Sequence, residues 1–163
     1  EAFERERRDQ RQHKRVEFQG AGETGIHASV GQLRQIVWNL LRNAADAMPD
    51  GGAIKVVVAR DPESARVDRS GAASGAASGG PWVTLVVTDT GSGIPKTDLD
   101  RIFEPFFSTK NAGTGLGLAT VARIVDDHRG TIEVASETGR GTTVTIRLPA
   151  AQSASRAGLE HAA

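Results

Sequence analysis

Between Ser29 and Met48 the sequence SVGQLRQIVWNLLRNAADAM carries Leu33, Ile36, Val37, Leu40, Leu41 and Ala44 at helical spacing. Turned at about 100° per residue they fall in one arc, so the segment predicts a helix with a single face to bury. Ser29 stands where an N-cap belongs, and MPDGG closes the run. Such a helix needs a second layer to cover it. AIKVVVA and WVTLVVT, and later TIEVAS and TTVTIRL, alternate apolar and polar residues in the manner of half-buried strands. A second amphipathic helix, with Leu118, Val121, Ile124 and Val125 on one face, lies between the two strand pairs. Val16 to Gln19 predicts a short edge strand and TDLDRIF a short helix. The expected architecture is an α/β sandwich, with helices on one face of a mixed sheet whose other face meets solvent.

The remaining stretches set the boundaries. Residues 1–15 mix charges of both signs and offer only Ala2 and Phe3 for burial, the pattern of a charged connecting helix or arm. The domain proper is expected over 16–149. The Gly/Ala/Ser-rich 61–80 segment reads as a flexible inserted hairpin loop, and 150–163 as a disordered tail of small residues. At 163 residues the chain suits one domain. Lys plus Arg and Asp plus Glu number 20 each, so no net field draws it to nucleic acid or an anionic membrane surface. Cysteine is absent, which excludes disulfides and thiolate metal sites. No apolar run approaches the ~20 residues of a membrane span, and the charged start lacks a signal-peptide pattern. The chain reads as cytoplasmic, or as the soluble piece of a larger parent protein, with membrane anchoring of that parent left open.

Three segments carry chemistry. On the first helix, Asn39 and Asn43 are one turn apart beside the apolar arc, where an amide must find partners. An amide oxygen is a neutral, hard ligand suited to Mg²⁺, which makes Asn43 the metal candidate. DTGSGIP follows directly on a strand: Asp89 can accept from an exocyclic amine, and Gly91 and Gly93, ahead of Ile94, let a flat ring lie against the backbone. Gly113, Gly115 and Gly117 open the second helix, where main-chain N–H groups and the helix dipole favour phosphate. Lys110 can add positive charge there; taken alone it reads equally as a solvated loop lysine.

In this order, NLLRNAADA, DTGSGIP, FEPFFSTK, GTGLGL and GRGTTVTIRLP resemble the N, G1, F, G2 and G3 boxes of the catalytic ATP-binding domain of sensor histidine kinases. That domain belongs to the superfamily that includes gyrase, Hsp90 and MutL. The resemblance runs from about Ser29 to Pro149, and the short stretch between Phe107 and Gly113 looks like the compact ATP lid of the nitrogen-regulation sensor subgroup. It implies a Bergerat-type two-layer sandwich and an ATP and Mg²⁺ site. Asn43 would hold the metal, with Asn39 and Lys110 assisting near the phosphates. Asp89 would bind the adenine amine, with Gly91, Gly93 and Ile94 around the base and Thr142 supporting it directly or through water. The cofactor-binding set continues through Gly113, Thr114, Gly115, Leu116, Gly117 and Leu118, with Phe103, Phe106 and Phe107 anchoring the lid.

The sequence departs from its relatives in places. Asp46 stands where many carry a basic residue, and His128, Arg129, Gly130 replaces the usual His-Gly-Gly, with His128 read as structural. None of His13, His27, His128 and His161 lies in a phosphoacceptor box. The resemblance therefore implies a protein-histidine kinase catalytic domain acting on a histidine in a separate dimerisation domain of the same parent, with a response regulator downstream. Neither nucleic acid nor a membrane is an expected partner. Two rivals differ in class: a degenerate nucleotide-sensing module that binds ATP without transferring it, and an ATP-driven clamp. The clamp normally needs a glutamate where Asn39 stands.

Overall fold

The computed structural model describes residues 14–20, 25–61, 81–109 and 113–151. Among these, one sheet carries the strands β1 (Lys14–Gly20), β2 (Gly52–Asp61), β3 (Trp82–Asp89), β4 (Thr131–Glu137) and β5 (Gly141–Pro149), in the order β1-β2-β3-β5-β4. The helices are α1 (Val30–Asp46) and α2 (Gly117–Asp127). β1 runs parallel to β2, and the other neighbours are antiparallel. A parallel pair needs a crossover, which α1 supplies.

Helix α1 begins where the sequence predicts, with the Gln32 N–H donating to Ser29 Oγ at 3.2 Å. Such a cap contributes about 1 kcal/mol. Its stripe buries Ile36, Leu40 and Ala44, and that of α2 buries Val121, Ile124 and Val125. Both pack on one face of the sheet, against Ile54 and Val56 of β2, Val87 of β3 and Val144, Ile146 and Leu148 of β5. On the other face the hydroxyls of Thr88 and Thr143 meet at 3.1 Å, and Arg147 pairs with Glu133 at 2.9 Å. The two-layer arrangement matches the expected sandwich.

Three expectations change. TDLDRIF forms no regular helix: residues 96–106 run as successive turns, with Asp98, Arg101, Glu104 and Phe107 each donating N–H to the carbonyl three residues back, at 2.9–3.2 Å. Pro95 and Pro105 bracket the segment and Ile102 is its one buried residue, too little to offset the cost of helix nucleation. β1 takes in Lys14 and Arg15, assigned above to the charged arm, because an edge strand gains backbone pairing without burying side chains. At the other end, Ala150 and Ala151 still donate to Pro81 and Gly25 carbonyls, both at 2.8 Å, so the ordered chain extends past Pro149. The rest of the arm and of the tail, and residues 62–80 of the inserted loop, lie outside the described residues. Among the described residues, no helix is long and apolar enough to cross a membrane.

Candidate functional site

Alternation along the strands puts Asp89, Thr142 and Ser136 on the helix-covered face, continuing the rows of Val87, Val144 and Val134. The register pairs Asp89 with Thr142 and Thr142 with Ser136, so these residues form a polar row across three strands where the apolar core ends. Asp89 is 7 % exposed and Thr142 9 %. Buried polar groups require partners. Asp89 Oδ1 accepts the Gly91 N–H at 2.8 Å, and Thr142 Oγ1 meets Ser136 Oγ at 2.9 Å. Thr143 points the other way, to Thr88.

Above the row is a cavity of about 480 Å³. Asp89, Thr142, Val87, Val134 and Val144 line it from the sheet, and Asn39, Leu40, Asn43, Ala44 and Ala47 from α1. Ser92, Gly93, Ile94, Ile102 and Phe107 close another side, and Gly113 to Leu118 complete the wall. Apolar surfaces flank an acceptor-bearing end, which suits a flat aromatic base carrying an amine. From Ala47, beside the Asp89 turn, to Asn39 is eight residues of helix, about 12 Å at 1.5 Å per residue. That is length enough for a nucleotide rather than a base alone.

Two features make the asparagine end fit polyphosphate and a hard cation. Unlike α1, α2 has no side-chain cap: Leu116 occupies its N-cap, leaving first-turn N–H groups for another acceptor. Gly117 brings that turn against α1, where a Cβ at Gly117 would stand 3.5 Å from Asn39 Oδ1 and 3.8 Å from Asn43 Nδ2. Helix-terminal N–H groups thus converge with two side-chain amides, one of which is hydrogen-bonded or otherwise engaged in its surroundings. An amide oxygen beside a phosphate-accepting helix end is a donor set that Mg²⁺ accepts, with phosphate oxygens and water completing its shell.

The glycines serve a purpose the sequence does not reveal. A Cβ at Gly91 would lie 2.7 Å from both Cβ and O of Ala47, so its bareness admits the end of α1, and Gly91 does not line the cavity. Gly93, at φ +69°, abuts the Glu137 carbonyl while its other side faces the cavity. Gly115, at φ +68°, packs against the backbone of Phe106 and accepts that residue's N–H at 3.0 Å. Phe106 itself has φ 69° and is 76 % exposed. It ties the segment's two ends together through its backbone rather than by burying its ring. Phe107 does line the cavity, with the Arg101 guanidinium 4.4 Å from its ring centroid, whereas Phe103 does not. Lys110 lies outside the described residues.

Sequence reasoning passed over Gln35 and Arg42, which also line the cavity. Gln35 is four residues before Asn39, so the same-face rule that selects Asn39 and Asn43 selects it too. Asp46, noted above only as a departure, lines the cavity as well. Ser136 was passed over as well: alternation with Ile132 and Val134 puts it on the buried face, but a lone serine there belongs to no motif that points to a ligand.

Comparison with known proteins shows the family and the fold. The family model for histidine kinase-, DNA gyrase B-, and HSP90-like ATPases matches residues 28–152. Sensor histidine kinase ZraS of Escherichia coli K12 is 42 % identical over 124 residues, 76 % of this chain and 23 % of that protein. Sporulation kinase A of Bacillus subtilis is 37 % identical over 124 residues, covering 76 % of this chain and 18 % of that protein. The chain therefore spans about a fifth of the length of these curated relatives. Among solved structures, the mycobacterial sensor histidine kinase MprB superposes with a TM-score of 0.66 at 30 % identity, over 91 % of this chain and 89 % of that one. Full-length ShkA in complex with AMPPNP superposes with a TM-score of 0.66 at 25 % identity, over 93 % of this chain and 28 % of that one. The mixed sheet with its two helices on one face is thus the Bergerat-type α/β sandwich, and the chain belongs to the family of histidine kinase-, DNA gyrase B-, and HSP90-like ATPases.

Proposed function

We propose that this domain binds Mg·ATP in the cavity and delivers the γ-phosphoryl group to a histidine on a separate helical domain of the same parent protein. The observation that carries the reading is the joining, within one cavity, of the Asp89–Thr142 wall to the uncapped start of α2 lying against Asn39 and Asn43. Asp89 and Thr142 receive the base, and apolar groups such as Ile94, Ile102 and Val144 cover its faces. The first-turn N–H groups of α2 and the segment from Gly113 to Leu118 hold the phosphates. Asn43 supplies an oxygen to Mg²⁺, and Lys110 supplies positive charge near the phosphates. Magnesium, when bound, neutralises phosphate charge and fixes the orientation of the terminal phosphoryl group.

The domain's own share in the reaction is positioning and charge neutralisation. The acceptor imidazole nitrogen forms a bond to Pγ as the bond from Pγ to the β,γ-bridging oxygen breaks, and ADP leaves with that electron pair. The imidazole proton passes to a base beside the acceptor, off this chain. Asn39 stands where hydrolytic relatives keep a carboxylate, and an amide cannot serve as a general base for water, which favours transfer over hydrolysis. The relatives named as sensor kinases support a parent of that kind, cytoplasmic in this part, with a response regulator receiving the phosphoryl group next. The short 107–113 connection supports the nitrogen-regulation sensor subgroup.

Incubation with γ-labelled ATP and Mg²⁺, with and without a separately produced histidine-bearing helical segment of the parent, tests the reading. Label should enter that segment in an acid-labile, base-stable form, with negligible label on this chain alone. Strong acid-stable self-labelling would indicate a hydroxyl acceptor and overturn it.

A further inference from the structure

Ser136 connects three parts of the site. Its Oγ accepts the Ile94 N–H at 2.8 Å, lies 2.9 Å from the Gly141 carbonyl oxygen and lies 2.9 Å from Thr142 Oγ1. A serine hydroxyl has one proton and two lone pairs. The Gly141 carbonyl can only accept, and two oxygens 2.9 Å apart with no proton between them repel, so the Ser136 proton is committed to Gly141. The contact with Thr142 must then use the proton of Thr142. Ser136 thereby donates once and accepts twice, which exhausts its capacity. Thr142, its only proton turned toward Ser136, presents lone pairs alone to the cavity.

From this proton arithmetic we infer that Ser136 is a positioning residue for base selection, acting through Thr142 to make the polar end of the cavity accept hydrogen bonds and donate none. The inference rests on the nucleotide reading above and deepens it. Asp89, register partner of Thr142, contributes a carboxylate that accepts when ionised, so neighbouring strands offer acceptors side by side. An exocyclic 6-amino group, or a water bound to one, satisfies both. A 6-oxo group at the same place meets acceptor against acceptor, which leaves buried polar atoms unpaired. The Ile94 N–H bond extends the device: it holds the turn after Gly93, which carries one side of the cavity, to the same hydroxyl.

The test is the ratio of affinities for ATP and inosine triphosphate, which differs in the base by a 6-oxo group and its accompanying N1 proton. Both are measured calorimetrically with Mg²⁺ on the whole chain. Wild type should favour ATP. In Ser136→Ala the Thr142 hydroxyl is released to rotate and can donate to a 6-oxo group, so the ratio should fall about tenfold, the scale of one neutral hydrogen bond. Ser136→Thr, which keeps a hydroxyl, should restore the ratio. In a Thr142→Val background, Ser136→Ala should no longer change it. A purely structural role would weaken both nucleotides together and leave the ratio alone; that result, with ATP still preferred by the wild type, overturns the Ser136 inference and spares the nucleotide reading. Failure of the wild type to bind ATP overturns both.

Discussion

Replacing Gly115 by alanine places strain where the account says the phosphate-binding segment is held together. The residue has φ +68°, and a Cβ built there would lie 2.6 Å from Phe106 Cα and 2.7 Å from Phe106 O. These are backbone atoms and cannot swing aside as a side-chain end could. A left-handed conformation costs an L-residue about 1–2 kcal/mol, and losing the Phe106 N–H to Gly115 O bond costs about 1 kcal/mol more. Without ligand the segment relieves the strain by letting Phe106 and Gly115 part; bound nucleotide has to restore it. Roughly 2–3 kcal/mol then falls on binding, or about 30- to 150-fold in Kd. The core residues Ile36, Val121 and Ile146 lie elsewhere, so the thermal midpoint should move by no more than about 2 °C, the shift that half a kcal/mol gives a domain of this size. Calorimetric titration with Mg·ATP beside a thermal melt separates the two effects. Wild-type affinity in Gly115→Ala, or a loss of affinity that merely follows unfolding, would refute the reasoning.

Other substitutions probe the remaining parts. Asp89→Asn puts a donor where the adenine amine needs an acceptor, at roughly 1–3 kcal/mol, and ATP should bind about 10- to 100-fold more weakly with the melt unchanged. In Asn43→Ala the loss of ATP affinity should be large with Mg²⁺ and should shrink when both proteins are compared in a chelator; an equal loss in both conditions would remove the metal role. Ser29→Ala removes the cap of α1 and should lower stability by about 1 kcal/mol in denaturant titration while leaving nucleotide affinity as it was.

The helix stripes, the strand alternation and the order of the motifs were legible because each depends on residues a few positions apart. Ser29, Ile36, Leu40 and Ala44 read as a capped, one-sided helix and form one. Other features depend on partners far along the chain. The parallel pairing of Val16 with Ile54 and Phe18 with Val56 has no local signature. Gly91 and Gly115 read as bare for a ligand, whereas Ala47 and the Phe106 backbone require the space. Ser136 shares the inward face of its strand with Ile132 and Val134, yet nothing local shows that it is held to Ile94 across 42 positions of sequence. TDLDRIF carries a locally helical pattern, but the flanking prolines leave too few residues to form one.

The central claim is where Mg·ATP sits, and backbone and side-chain amide shifts during titration with Mg²⁺ and a non-hydrolysable ATP analogue measure that directly. The largest changes should fall at Gly117 and Leu118, from Asp89 to Ile94, and at Thr142, with the Asn43 side-chain amide responding to the nucleotide chiefly when magnesium is present. Shifts confined to the outer face of the sheet, around Thr88 and Thr143, with the start of α2 unmoved, would contradict the account.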